Sequence, residues 1–306
     1  MEIFVTTLTQ MLILFLYILI GILFRKFRLI PEASDRTIAG LENTLLMPCL
    51  IFSTFMEHCT LENLKEKSSG LYVAILILVG SIIISYAISS LMTDHPYKRK
   101  LFRYSLITSN YSFMGNAIAL GIFGSDFLFE YMIFTLPLAI FTYTIGVSWI
   151  KDGNDGASGS LKSLLTPVFY AIIAGIAFGI LGIRLPGIIT TAADALGGCM
   201  SPLAMFLTGF IIGGYKYRDL FEDASILFLS LIRLIAIPLS ALIFLRIFDV
   251  DISISSCAIC YLSMPLGLNT IIIPAAYGRD TKTGASMALI SSLLAVITIP
   301  LVFFII

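Results

Sequence analysis

Charge is scarce in this sequence. Only 12% of its 306 residues are Asp, Glu, Lys or Arg, while 58% are hydrophobic and the mean hydropathy is +0.99. A soluble domain carries about 25% charged residues, and a chain this apolar cannot cover its surface against water. Most of its surroundings must therefore be lipid. Alternating segments of about 10 residues, the mark of barrel strands, are also missing; the apolar runs are about 20 long, the length of a membrane-crossing helix. Backbone groups in lipid must be paired within their own element, so an all-α integral membrane fold is expected. No basic run interleaved with aromatics is present, so nothing points to nucleic acid, and the nineteen basic residues cancel the nineteen acidic ones. Histidine is reduced to His58 and His95, both flanked by loop residues and expected to be solvated. HExxH and GxSxG arrangements are missing, so a membrane enzyme would lack its constellation. No catalytic residue, metal ligand or cofactor is expected. Cys257-Ala-Ile-Cys260 has CxxC spacing but lies in an apolar segment without a second pair, and reads as membrane-embedded. The first apolar run follows no basic n-region and precedes no small-residue cleavage site, so it reads as a retained helix.

What is present is a series of apolar runs at roughly 3–24, 36–56, 70–92, 100–123, 129–149, 166–182, 187–213, 222–247, 252–277 and 282–305, which makes ten spans. The sixth is the shortest, and Gly175, Gly179 and Gly182 in it suit close helix packing. Arg25, Lys26, Arg28, Arg36, Lys98, Arg99, Lys100, Arg103, Lys151, Lys162, Lys216, Arg218, Arg279 and Lys282 fall in the odd-numbered loops, fourteen against only Lys65, Lys67, Arg184 and Arg246 in the even ones. Positive residues stay inside. The expectation is a multi-pass cell-membrane protein with both termini extracytoplasmic.

The two halves repeat at an offset of 154 residues. Gly21 matches Gly175, Pro48 matches Pro202, Gly124 matches Gly278 and Asp126 matches Asp280, with Pro31/Pro186 and Asn116/Asn269 within one residue of the same offset. Gly21-Ile-Leu-Phe24 parallels Gly175-Ile-Ala-Phe178, and Leu46-Met-Pro-Cys-Leu-Ile-Phe52 parallels Met200-Ser-Pro-Leu-Ala-Met-Phe206. Five helices per unit is an odd number, so the copies are expected to be inverted: residues 1–150, a polar linker at 151–162, and 163–306. Inverted repeats are the architecture of many secondary transporters, whose sites lie where corresponding helices are interrupted. Helix 4 reads Ile107-Thr-Ser-Asn110-Tyr-Ser-Phe-Met-Gly115-Asn116, and helix 9 reads Tyr261-Leu-Ser-Met-Pro265-Leu-Gly267-Leu-Asn269-Thr270. Pro265 removes an amide, Gly115 and Gly267 permit unwound backbone, and the Asn side chains can bond an anion, a cation or freed peptide groups. Shifting Pro265 back by 154 lands on Tyr111, beside Asn110.

These motifs resemble the auxin efflux carrier family, which groups plant auxin carriers with many bacterial permeases for small carboxylates. Asn110-x-x-x-Met114-Gly115 resembles its helix-4 motif, Met264-Pro265-x-Gly267-x-Asn269 followed by Tyr277-Gly-Arg-Asp280 its helix-9 motif, and Ser291 to Pro300 its closing helix. The resemblance covers essentially the whole chain. It implies a scaffold of helices 1, 2, 6 and 7, a transport bundle of helices 3–5 and 8–10, a crossing of broken helices 4 and 9, and elevator-type motion. It also implies that Asn110 meets a substrate carboxylate and that Pro265 makes the second break. One departure is Ala117, where the family carries a proline; the first break is then expected to be softer, or held by Gly115 and side-chain bonds.

Two ionisable residues fall inside spans. Arg233 sits about 16 Å along helix 8 at about 1.5 Å per residue, open to structural pairing, to substrate or coupling work, or to snorkelling. Glu42, about two turns into helix 2, is either a helix-end carboxylate near water or a proton-exchanging group. The substrate-site candidates are Asn110, Tyr111, Gly115, Asn116, Pro265, Gly267, Asn269 and Thr270, with Glu42 and Arg233 as coupling or charge-relay candidates. The expected function is secondary transport of a small organic anion, with proton or sodium coupling. A sodium-coupled symporter of the bile-acid type is the alternative, with a passive channel and a membrane enzyme further off. The lipid bilayer is the expected partner, and a homodimer is one assembly such a chain could form.

Overall fold

The computed structural model describes residues 2–150, 166–276 and 281–305. Apart from one isolated bridge, its regular elements among these residues are helical. They are α1 (Glu2–Lys26), α2 (Ser34–His58), α3 (Leu61–Lys67), α4 (Gly70–Met92), α5 (Pro96–Ile107), α6 (Tyr111–Phe123) and α7 (125–150) in the first half. The second half has α8 (Pro167–Leu181), α9 (Gly187–Ile212), α10 (Tyr217–Leu220), α11 (Ala224–Ile247), α12 (Ile252–Leu262), α13 (Asn269–Ala276) and α14 (Lys282–Ile305). Six of them, α1, α2, α4, α9, α11 and α14, are long and apolar enough to cross a membrane. The runs at 100–123 and 252–277, expected as interrupted helices, are each divided in two, α5/α6 and α12/α13. The linker expected at 151–162 and the segment Tyr277 to Asp280 lie outside the described residues.

Helices in lipid gain nothing from hiding apolar surface, so close backbone approach has to hold them together. In this chain glycine provides it. On α1, Gly21 leaves room for the Phe206 carbonyl of α9, and Gly209 of α9 leaves room for the Ile18 carbonyl of α1. On α8, a Cβ at Gly175 would lie 3.1 Å from the Phe52 carbonyl oxygen of α2, and one at Gly179 would lie 2.7 Å from the carbonyls of Phe55 and Cys59. Edge-to-face ring pairs accompany both contacts: Phe24 with Phe206 at 5.1 Å and Phe178 with Phe52 at 5.6 Å. Adding 154 to Phe24 gives Phe178, and subtracting it from Phe206 gives Phe52. The same contact is thus made twice, at positions 154 residues apart. Gly182 has a different role from its two neighbours. Its surroundings are open and its φ is +63°, so it ends α8 in the left-handed region rather than packing a helix.

The remaining helices gather beside this group. α4 packs on α5 and α7, α12 on α4 and α7, and α11 on α14, while α1 reaches α14. The two histidines diverge from expectation in one case. His95 is exposed and caps α5. His58 is not solvated: its side chain is 12% exposed, with Nδ1 3.0 Å from Asp126 Oδ1 and its ring against Phe129. The chain folds the start of α7 over the end of α2, and that covers the imidazole.

A Cβ at Gly21 collides with backbone, whereas Gly40 has open space around it. Gly21→Ala is expected to cost about 1–3 kcal/mol by overpacking, and Gly40→Ala to be neutral or slightly stabilising. Thermal unfolding of the two variants in the same detergent checks this; equal melting temperatures would refute the packing role.

Candidate functional site

The candidate site is built where two interrupted helices pass each other. α5 stops at Ile107, and Thr108 leaves helical geometry with φ −103° and ψ 81° while its hydroxyl bonds back to the Tyr104 carbonyl at 2.8 Å. α12 stops at Leu262, three residues before Pro265, which has no amide hydrogen to continue a helix. The freed strands then bond to each other. Asn110 donates its N–H to the Pro265 carbonyl at 2.8 Å, and Ser109 pairs with Leu266 as an antiparallel bridge. A side chain at Gly267 would place its Cβ 2.5 Å from the Thr108 carbonyl oxygen, so the crossing requires glycine there.

Peptide groups released at membrane depth must find partners inside the protein. Here they do. The Leu106 carbonyl accepts from Arg233 Nη1 at 2.9 Å, the Tyr261 carbonyl from Arg233 Nη2 at 3.0 Å, and the Met264 carbonyl from Arg233 Nε at 3.3 Å. The Ile107 carbonyl accepts from the Tyr261 hydroxyl. Ser109 Oγ donates to the Tyr261 carbonyl at 3.2 Å, the Leu266 amide donates to Ser291 Oγ at 3.1 Å, and Tyr131 donates to the Tyr111 carbonyl at 3.1 Å. Arg233 is fully buried, with its guanidinium 5.1 Å from the centre of the Tyr261 ring. Of the roles open to it in the sequence, snorkelling is therefore excluded.

The predicted residues divide between the crossing and a cavity next to it. Pro265 and Gly267 make the crossing, and Thr270 closes its turn by donating to the Gly267 carbonyl at 2.7 Å. Asn110 is buried, and its Oδ1 caps α6 by accepting from the Met114 amide at 3.4 Å. Asn269 is half-buried at the start of α13. Tyr111 and Asn116, both buried, line a cavity of about 50 Å³ with Ser112 and Thr135, while Met47 and Ile51 of α2 supply an apolar wall. Gly115 does not unwind the backbone. It is helical, with φ −62° and ψ −44°, and its missing side chain makes room for the Tyr131 hydroxyl. At Ala117, where a proline was expected, the helix runs on through Asn116–Ile118; the break lies upstream, at 108–110, and is held by the bond to Pro265.

Glu42 is not at a wetted helix end. It is fully buried on a π turn, Glu42–Leu46, five residues from Met47, and neither carboxyl oxygen has a hydrogen-bond partner among the described residues. Sequence reasoning missed Tyr261, Ser109, Ser291 and Tyr131. For Tyr261 a signal existed: it lies 154 residues after Ile107, whose carbonyl it bonds.

Tyr261→Phe keeps the ring beneath Arg233 and deletes only the hydroxyl that satisfies Ile107. A loss of about 1–3 kcal/mol is expected from the stranded carbonyl, against no change for Tyr72→Phe, where the side chain is 76% exposed. Melting temperatures of the pair check it.

No curated protein matches the chain. A family model described as membrane transport protein matches it twice, over residues 6–159 and again over 156–303. The two matched stretches meet near the middle of the chain. With nearly its whole length matched and its long apolar helices in place, the chain belongs to the membrane transport proteins of the auxin efflux carrier family and is a multi-pass membrane transporter.

Proposed function

We propose that the protein is a secondary active transporter that carries a small organic anion, a carboxylate by preference, across the cytoplasmic membrane by alternating access. The observation that carries this reading is the crossing of α5/α6 with α12/α13. At a broken helix the two facing ends have opposite partial charge: the C-terminal ends are negative and the N-terminal ends positive. The C-terminal ends, at Leu106 and Tyr261, are already occupied by Arg233. The N-terminal ends, at Tyr111 and Asn269, remain to attract an anion. Asn110, Tyr111, Asn116, Asn269 and Thr270 are the side chains that would fix its orientation.

In this reading the chain crosses the membrane ten times, counting α5–α6 and α12–α13 as one crossing each. Residues 1–150 and 163–306 are inverted copies joined by a linker at 151–162, and both termini are extracytoplasmic. α1, α2, α8 and α9 form a fixed scaffold supported by their glycine contacts, and the other helices form the bundle that moves. A cavity of about 50 Å³ has room for about one or two waters. The bundle must therefore shift against α2 before a carboxylate enters. Glu42, buried on the scaffold side without a partner, is the candidate proton carrier.

Asn110→Ala is expected to abolish the thermal shift produced by a panel of small carboxylates and aromatic acids while the protein stays monodisperse. An unchanged affinity would remove Asn110 from the site. Glu42→Gln is expected to leave uptake into proteoliposomes active but no longer accelerated by a pH gradient. If the variant retains full acceleration, the proton route lies elsewhere.

A further inference from the structure

Arg233 does more than fill a gap. Its two terminal nitrogens divide between two helices: Nη1 takes the Leu106 carbonyl near the end of α5 and Nη2 takes the Tyr261 carbonyl near the end of α12. Those two carbonyls are 155 residues apart, so they are repeat mates to within one residue. Nε takes a third carbonyl, Met264, inside the second break. Each helix C-terminus carries about half a negative charge, so two of them balance one guanidinium.

Unwound carbonyls and half-helix C-terminal ends are also the groups with which inverted-repeat transporters coordinate a coupling sodium ion. Here three such oxygens are engaged by N–H donors of a side chain that cannot dissociate. The geometry points to Arg233 as a resident cation of the crossing, which takes the place of an exchangeable alkali ion and makes the crossing independent of sodium. Because the guanidinium is covalently part of the bundle, it travels with the bound carboxylate and offsets its charge in the same moving body. The inference deepens the transporter reading and rests on it for its functional meaning.

The test uses the purified full-length protein and reads melting temperature, which needs no substrate. Its outcome is thus separable from that of the Asn110 experiment. Wild-type protein is expected to melt at the same temperature in sodium chloride and in choline chloride of equal ionic strength. Arg233→Ala in choline is expected to melt roughly 5 °C or more lower. Guanidinium chloride, far below denaturing concentration, is expected to restore most of that loss, with sodium restoring part and choline none. Arg233→Lys, which keeps the charge but loses the fork, is expected to fall between wild type and alanine in choline. A sodium-specific stabilisation of the wild type would overturn the inference, and that measurement stands even if Arg233→Ala fails to fold. A folded Arg233→Ala that melts like wild type in choline, or that gains no more from guanidinium than wild type does, would overturn it as well.

Discussion

A helix that breaks inside a membrane releases peptide groups that lipid cannot bond, and each must be satisfied by the protein itself. The architecture around residues 106–110 and 261–267 follows from that constraint. Two breaks placed side by side can bond to one another, as Asn110 and Pro265 do, but antiparallel pairing satisfies only part of the ladder. The rest falls to Arg233, Tyr261, Ser109 and Ser291, one from α11, one from each crossing segment and one from α14. These helices are therefore joined by directional bonds to backbone groups, and removing Arg233 or the Tyr261 hydroxyl strands a buried carbonyl.

α1, α2, α8 and α9 are joined differently. Their contacts are glycine against carbonyl and ring edge against ring face, made twice at positions 154 residues apart. Where these helices meet the others, the polar links among the described residues are local. Ser201 reaches the Phe113 carbonyl at 3.1 Å, Gln10 the Ala117 carbonyl at 3.4 Å, His58 faces Asp126, and Tyr215 bonds Thr281. Directional bonding is thus denser around the crossing than at the border with α1, α2, α8 and α9.

Glycine, proline and aromatic spacing carried much of the fold in the sequence, because backbone approach and chain breaks demand particular residue types. The offset that pairs Gly21 with Gly175 reappears as a duplicated contact in space. Roles that depend on a partner without a side-chain signature were not legible. Arg233 could be placed at depth, but a carbonyl oxygen has no letter, so its partners could not be read. Gly115 and Gly182 look alike in sequence to glycines that unwind or pack, yet one accommodates a hydroxyl and the other turns the chain. Glu42 and His58 were misplaced toward water for one reason: burial at a helix end depends on which loop folds over it. The break in helix 4 survives without a proline at Ala117 because its strength comes from a residue more than 150 positions away.

The repeat is imperfect at the position that matters most for charge. Subtracting 154 from Arg233 gives Val79, which is 49% exposed on α4. Two identical five-helix subunits meeting head to tail would present either no arginine or two to the shared crossing. None would leave carbonyls stranded, and two would crowd a pair of positive charges against dipoles that balance one. A single polypeptide escapes that parity, because positions 79 and 233 are specified separately and can differ.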